Sequence, residues 1–326
     1  MKVLITGATG FIGKHLVKAL VEDGHYCRCL VRETSDIDDL AKLDNIELVY
    51  GDIVNKDSIE KTTKNIQLVY HLASQIGKHG VSEDQFYSTN INGTRNLLAA
   101  SSNGDVKQFV FCSTPGVQGK GYSQASETLL YNPPHIYEQT KCEAERLVLK
   151  FHQERNLPVT IIRPDFVYGP GDLRRLSLYR AIRDKRFYVI GNGKSFLHPT
   201  YIDDVIQGFL LVANNIVAFG QIYNIAGPRP LTVEEYARTI AQTLNVTFPG
   251  IRVPKTIALV TACAFEGFSK ISGKEPLISR SKVEFLTKSH GSDINKAKTQ
   301  LGYEPKFEFE KGIRNTIDWY YKHSLL

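Results

Sequence analysis

Val3-Leu4-Ile5-Thr6-Gly7-Ala8-Thr9-Gly10-Phe11-Ile12-Gly13-Lys14 is the stretch that decides the fold of this 326-residue chain. An apolar, β-branched run ends in a glycine, and two more glycines follow at every third position. The run predicts a buried strand over Val3–Thr6, and the pattern after it predicts a helix over Lys14–Asp23. Between them Gly7 permits the tight turn, Gly10 lets a pyrophosphate approach the backbone, and Gly13 lets the helix pack on the strand. Phe11 and Ile12 belong to this loop, and the N-terminus of the helix after it, with free N–H groups and a partial positive charge, suits a phosphate. The spacing is GxxGxxG rather than the commoner GxGxxG, and a plain glycine turn is the alternative reading.

Outward from this loop the same alternation continues. Strands are expected at Tyr26–Val31, Ile46–Tyr50, Leu68–Leu72, Gln108–Ser113, Thr160–Arg163 and Ile222–Ile225, several of them nearly all apolar. Amphipathic helices are expected at Asp84–Ser101 and Ile136–Arg155. This predicts an α/β fold, a Rossmann-type doubly wound parallel sheet of about seven strands in the order 3-2-1-4-5-6-7, covered on both faces. Residues 1–165 and 198–226 are expected to form the dinucleotide-binding domain. Residues 166–197 and 227–326, richer in loop signals, are expected to form a smaller substrate domain.

Composition narrows the class. The chain is 42% apolar and 23% charged, as in soluble globular proteins, and its charge of +6 is spread along the length. That suits an anionic small ligand and disfavours nucleic acid as a partner. The five cysteines show no CxxC spacing and read as thiols in a reducing compartment, so the expected location is the cytoplasm. The apolar run from Ile257 to Phe268 contains Glu266 and is too short to span a bilayer. No metal site is expected; His71, at a strand end without a ligand cluster, reads as structural.

The chemistry points to Tyr137-Glu138-Gln139-Thr140-Lys141. A phenol and an ammonium four residues apart on a helix face the same way. A tyrosine has an ordinary pKa of about 10, too high for a base at neutral pH, and a nearby ammonium favours the phenolate. Arg32, ending the second strand, can pair with a ribose 2′-phosphate where an acidic residue would bind a free hydroxyl, which favours NADP over NAD. Asp36 and Asp38 nearby argue the other way.

Thr6–Gly13 with Tyr137-xxx-Lys141 resembles the extended short-chain dehydrogenase/reductase superfamily, which includes nucleotide-sugar epimerases and dehydratases, hydroxysteroid dehydrogenases and dihydroflavonol reductases. Gly51-Asp52-Ile53, His71-Leu72-Ala73-Ser74, Asn90-Ile91-Asn92-Gly93-Thr94, Arg163–Pro170 and Tyr201–Val205 extend the likeness over nearly the whole chain. The resemblance implies that Asp52 and Ile53 flank the adenine, that Leu72, Ala73 and Ser74 line the cofactor channel, and that Asn90 lies toward the nicotinamide. Pro164 to Val167 would cover the nicotinamide face. Counting back from Gly119 along the family pattern puts Thr114 at the catalytic hydroxyl position, with Ser113 just before it. Lys141 would hold the nicotinamide ribose as well as tune Tyr137.

Substrate class divides two readings. Family members that grip a nucleotide diphosphate carry an arginine after a glycine-rich hairpin; here the hairpin is Gly191-Asn192-Gly193-Lys194 and the matching position is Leu197. With Arg32 and the apolar 257–268 helix, this resembles the hydroxysteroid dehydrogenase and dihydroflavonol reductase branch. The expected function is thus interconversion of a secondary alcohol and a ketone on a sterol- or flavonoid-like substrate. The alternatives are a nucleotide-sugar epimerase or dehydratase that keeps its NAD bound, and a catalytically silent NADP sensor. The helices Asp84–Ser101 and Ile136–Arg155 resemble a four-helix dimer interface, so a homodimer is expected.

Overall fold

A computed structural model describes the chain except residues 78–79, 273–275 and 277. Seven parallel strands form the central sheet: β1 (Lys2–Thr6), β2 (Tyr26–Val31), β3 (Ile46–Tyr50), β4 (Leu68–His71), β5 (Gln108–Cys112), β6 (Val159–Pro164) and β7 (Gln221–Ile225). Their spatial order is β7-β6-β5-β4-β1-β2-β3, the expected order read from the other edge. Connections run one way from β1 to β3 and the other way from β4 to β7. The carboxyl ends of β1 and β4, hydrogen-bonded neighbours, therefore flank a crevice. β4 and β6 are buried along their whole length, which explains why most of their residues are apolar.

Helices cover both faces, among them α1 (Phe11–Glu22), α2 (Thr94–Ser102), α3 (Ile136–Arg155) and α4 (Ile202–Leu211). The helix expected over Asp84–Ser101 is divided: Tyr87–Gly93 winds as a π-helix between a short turn at Glu83–Phe86 and α2. Strands β4 and β5 stop one residue short of expectation, which leaves Leu72 and Ser113 in the loops at the sheet's carboxyl edge.

The remaining segments form α5 (Val233–Thr243), α6 (Lys255–Ser272), α7 (Arg280–Thr287), α8 (Phe309–Lys322) and three two-stranded pairings. Tyr168, Tyr179, Tyr236, Ile313 and Tyr320 join one buried cluster with Val3, Leu16 and Tyr70 of the β1 face. A second cluster, around Leu4, Val69, Phe109 and Val148, fills the other face. Among the described residues no helix is long and apolar enough to cross a membrane.

Candidate active site

The glycine loop leaves β1 and caps α1. Gly7 sits at φ +72°, and a Cβ there would lie 2.7 Å from the Ala73 nitrogen and 2.8 Å from the Leu72 carbonyl carbon. A Cβ on Gly13 would meet the Gly7 carbonyl oxygen at 2.1 Å, so that glycine sets the closeness of helix to strand. Gly10 differs: its Cβ would find only the Gly7 oxygen, at 3.2 Å, and otherwise open space. Gly10 caps α1 without a side-chain hydrogen bond, which leaves the N–H groups of Phe11, Ile12 and Gly13 unclaimed by any cap. An open glycine above unspent N–H donors fits a pyrophosphate.

Around this loop the carboxyl ends of the strands gather the other expected contacts. Arg32 is exposed where β2 ends and takes part in no ion pair among the described residues, while its backbone N–H donates to Ser35 Oγ at 3.2 Å. Arg28, on the same strand, is spent elsewhere: it donates to Glu47 at 2.9 Å and to the carbonyls of Thr62 and Lys64. Lys14 holds Asp36 and Asp39 at 3.5 and 2.9 Å. Asp52 follows β3 and accepts from the Val54 N–H. Ile53 is buried against Gly93, where a Cβ would touch its Cδ1 at 2.6 Å. Pro164 ends β6, and Val167 lies just beyond it, paired with Thr200. Leu72, Ala73 and Ser74 follow β4.

A buried polar chain ties this rim together. Thr94 Oγ1 donates to the Asn90 carbonyl at 2.7 Å, so its hydrogen is spent. His71 Nε2, 2.9 Å from that oxygen, must therefore be the donor, and its Nδ1 accepts from Thr6 Oγ1 at 2.7 Å. Burial, with the Lys141 charge adding, pushes His71 down to about 3 and keeps it neutral. Asn90, inside the π turn, accepts from Ser74 Oγ and the Gln75 N–H and donates to the Gln75 carbonyl and Thr140 Oγ1. Thr140 in turn donates to the Tyr137 carbonyl at 2.9 Å. Asn90 thus fixes the channel loop and the start of α3 together, a role for which a π turn is a recurrent device.

Tyr137 and Lys141 lie on α3 facing the end of β5. Lys141 is buried; its Nζ donates to the Cys112 carbonyl at 2.6 Å and stands 3.9 Å from the centre of the Phe111 ring. Burial pushes its pKa down to about 8, against the opposing influence of Cys112 and Glu145. The Tyr137 hydroxyl makes no hydrogen bond among the described residues. Burial first, then Cys112, raises this phenol above its ordinary value. Lys141 is not among the groups that lower it, contrary to the sequence expectation, because the ammonium is turned to the Cys112 carbonyl. Thr114 Oγ1 accepts from the Gly116 N–H at 3.2 Å and keeps its own proton to donate. Ser113 Oγ is buried without a partner. Behind α3, Glu145 accepts two bonds from the buried Arg163 and one from Tyr131, and anchors the helix to β6.

Two groups at this rim were not anticipated: Glu138 and Lys120. Glu138 fills the room left by Gly116, whose Cβ would lie 2.9 Å from the Glu138 Cγ. The signal was a glycine in the turn opposite a helix residue, which no spacing rule reads. Leu197, by contrast, is 1% exposed and paired with Leu231. Most of the arginines from Arg174 to Arg186 are paired within the protein: Arg175 binds Asp172 and lies over Phe166, Arg180 binds the Leu325 carbonyl, and Arg183 and Arg186 both meet Asp184.

A family model for the NAD dependent epimerase/dehydratase family matches residues 3–226. The chain belongs to this family. Its sequence is 30% identical to a 3beta-hydroxysteroid-dehydrogenase/decarboxylase isoform 1 of Arabidopsis thaliana, over 97% of this chain and 78% of that protein. It is also 30% identical to a 3-beta-hydroxysteroid dehydrogenase of Mycolicibacterium neoaurum, over 98% of this chain and 91% of that protein. In structure it is similar to a UDP-glucuronic acid 4-epimerase from Bacillus cereus in complex with NAD, with a TM-score of 0.81, 25% identity and 99% of both chains covered. The chain is thus an enzyme of the extended short-chain dehydrogenase/reductase type with a Rossmann fold, in a family defined by NAD dependence.

Proposed function

We propose that this protein interconverts a secondary alcohol and a ketone on a hydrophobic, sterol-like substrate, with Thr114, Tyr137 and Lys141 as its working residues. A nicotinamide dinucleotide bound over the glycine loop would supply the hydride acceptor or donor. Gly7, Gly10, Phe11, Ile12 and Gly13 would hold its pyrophosphate, with Asp52 and Ile53 at the adenine. Leu72, Ala73, Ser74, Asn90, Ser113, Pro164 and Val167 would line its channel. Tyr137 as the phenol gives its proton to a ketone oxygen, and as the phenolate takes one from an alcohol. Thr114 donates a hydrogen bond to that same oxygen, and Lys141 leaves the Cys112 carbonyl to engage ribose hydroxyls.

The observation that carries the substrate class is Leu197. Where relatives that grip a nucleotide diphosphate would place a charge, this chain buries a leucine against Leu231. The full-length likeness to hydroxysteroid dehydrogenases supports the same reading. Arg32, free of ion pairs while Lys14 draws Asp36 and Asp39 aside, supports NADP as the preferred form. The substrate domain is assigned to residues 166–197 and 227–326. The five unpaired cysteines support a cytoplasmic location, and α3 with the 83–102 helical stretch is the proposed homodimer face.

The test is nicotinamide absorbance with a 3β-hydroxysterol and either coenzyme. Net reduction of added coenzyme is expected, and Tyr137→Phe should slow it by roughly 10²–10⁴-fold while still binding coenzyme. Epimerisation of a UDP-hexose with no net coenzyme change, and no sterol turnover, would overturn the reading. Arg32→Asp should weaken NADP by about ten- to a hundredfold relative to NAD.

A further inference from the structure

A dinucleotide seated on the glycine loop brings a charged pyrophosphate into the cleft, and the residues beneath it supply little charge in return. The N-terminus of α1 offers N–H groups with only a partial positive charge. Lys14 is turned away to Asp36 and Asp39. His15, one residue further on, donates from Nε2 to the Pro170 carbonyl at 3.0 Å, and burial lowers its pKa, so it is neutral at pH 7. A full countercharge has to come from across the cleft.

The loop of residues 169–175 crosses to that spot. Its first turn rests on the start of α1: Pro170 takes the His15 bond, and a Cβ on Gly171 would lie 3.9 Å from the Phe11 ring and from His15 Nε2. The far end of the loop is fixed from below. The buried Asp172 accepts from the Arg174 N–H at 3.1 Å and from the Arg175 guanidinium at 2.7 Å, and its own carbonyl accepts from Tyr320 of α8. Arg175 is held further by the Phe166 ring, 4.1 Å away. Arg174 is exposed, and its guanidinium makes no hydrogen bond or ion pair among the described residues. Its charge nonetheless reaches the Tyr137 phenol, which burial and Cys112 push up and Arg174 pulls back.

The loop therefore runs from Phe11, at the pyrophosphate seat, toward Tyr137, the course a dinucleotide takes from its pyrophosphate to its nicotinamide. We infer that Arg174 is a ligand of the coenzyme, pairing with the phosphate on the nicotinamide side, so that the pyrophosphate is held between the N-terminus of α1 and this guanidinium. A guanidinium suits the task, because it forms two parallel bonds to phosphate oxygens and stays charged at every working pH. The inference rests on the glycine loop as the coenzyme seat. It goes beyond that reading in drawing a phosphate ligand from the proposed substrate domain, so that coenzyme binding ties the two domains together.

Calorimetric titration of wild type and Arg174→Met with NADPH, ADP-ribose and AMP tests it. ADP-ribose keeps the pyrophosphate without the nicotinamide, and AMP lacks the phosphate assigned to Arg174. Arg174→Met should weaken NADPH and ADP-ribose by about ten- to a hundredfold, the size of one charged hydrogen-bonded contact, and leave AMP unchanged. Arg174→Lys should recover part of the loss. Added salt should weaken ADP-ribose less in Arg174→Met than in wild type. Equal ADP-ribose affinity in wild type and Arg174→Met overturns the inference, as does an equal loss for AMP, which would put the charge at the adenine end. A shifted pH profile of turnover with unchanged coenzyme affinity would assign Arg174 to Tyr137 alone, and that too overturns it. The titrations need no sterol, which keeps the two proposals apart. A Met-dependent loss of ADP-ribose supports the inference even if no sterol is oxidised, and sterol turnover with undiminished ADP-ribose affinity removes Arg174 alone. Thermal melting without ligand shows whether both variants are folded.

Discussion

Lys141→Met should make the coenzyme-free protein more stable at neutral pH while destroying its use. The ammonium is buried and held by one carbonyl and one aromatic face, and its pKa falls from 10.5 to about 8. At 1.36 kcal/mol per pK unit, holding the charge inside the fold costs about 3 kcal/mol at pH 7. The folded-state value lies below the unfolded one, so between about pH 8 and 10.5 the unfolded chain binds more protons and native stability rises with pH. Below pH 8 the penalty is fully present. Methionine keeps the length of the side chain and removes the charge, but it leaves the Cys112 carbonyl without its donor. That stranded acceptor costs about 1–3 kcal/mol, so the net gain should be at most about 2 kcal/mol. Urea unfolding of both proteins without coenzyme, at pH 7 and near pH 10, measures it. The advantage of the variant should shrink toward the higher pH, and its coenzyme affinity should fall below that of wild type at pH 7. A methionine variant less stable than wild type at pH 7, or a gain independent of pH, refutes the account of a charge held at a cost for its function.

Three further outcomes follow from buried contacts. His71, held neutral with a pKa near 3, should make native stability fall as pH drops from about 6.5, where the unfolded chain takes up the proton first; His71→Leu should flatten that acid limb in denaturant titrations while costing about 1–3 kcal/mol at pH 7 through the stranded Thr6 hydroxyl. Glu145→Gln leaves Arg163 charged and poorly matched between α3 and β6, and calorimetry should show a loss of about 3–5 kcal/mol. Gly7→Ala puts a methyl within 2.8 Å of the Leu72–Ala73 backbone at a φ of +72°, so fluorescence titration should show coenzyme binding abolished.

The glycine loop and the sheet order were legible because each is dictated locally: a positive φ needs glycine, and a strand covered on both faces needs an unbroken apolar run. The π turn at Tyr87–Gly93 was not, since its apolar residues keep a helical pattern and one widened turn leaves no mark on periodicity. What it achieves, the placing of Asn90 between Gln75 and Thr140, depends on partners distant in the chain. The direction of Lys141 was hidden for a related reason. Spacing puts it on the same helix face as Tyr137, but the nearest acceptor is the Cys112 carbonyl, whose position is fixed only when β5 and α3 pack. Arg28, within β2, is paired with Glu47, whereas Arg32, just past the end of that strand, stays exposed.

The two working groups are set unequally in this structure, and that asymmetry bears on direction. Tyr137 holds its proton more firmly than a free tyrosine, while Lys141 loses its own near pH 8. Ketone reduction needs the protonated phenol, so its rate should stay level from neutral pH upward until Lys141 discharges. Alcohol oxidation needs the phenolate, so its rate should climb with pH over the same range. The same titration of Lys141 should then weaken coenzyme binding and cut both directions off above about pH 8. The oxidation profile of kcat/KM should therefore be a narrow bell and the reduction profile a shoulder with a single fall. Two profiles of the same shape would mean that Tyr137 is not the group that changes its proton between the two directions.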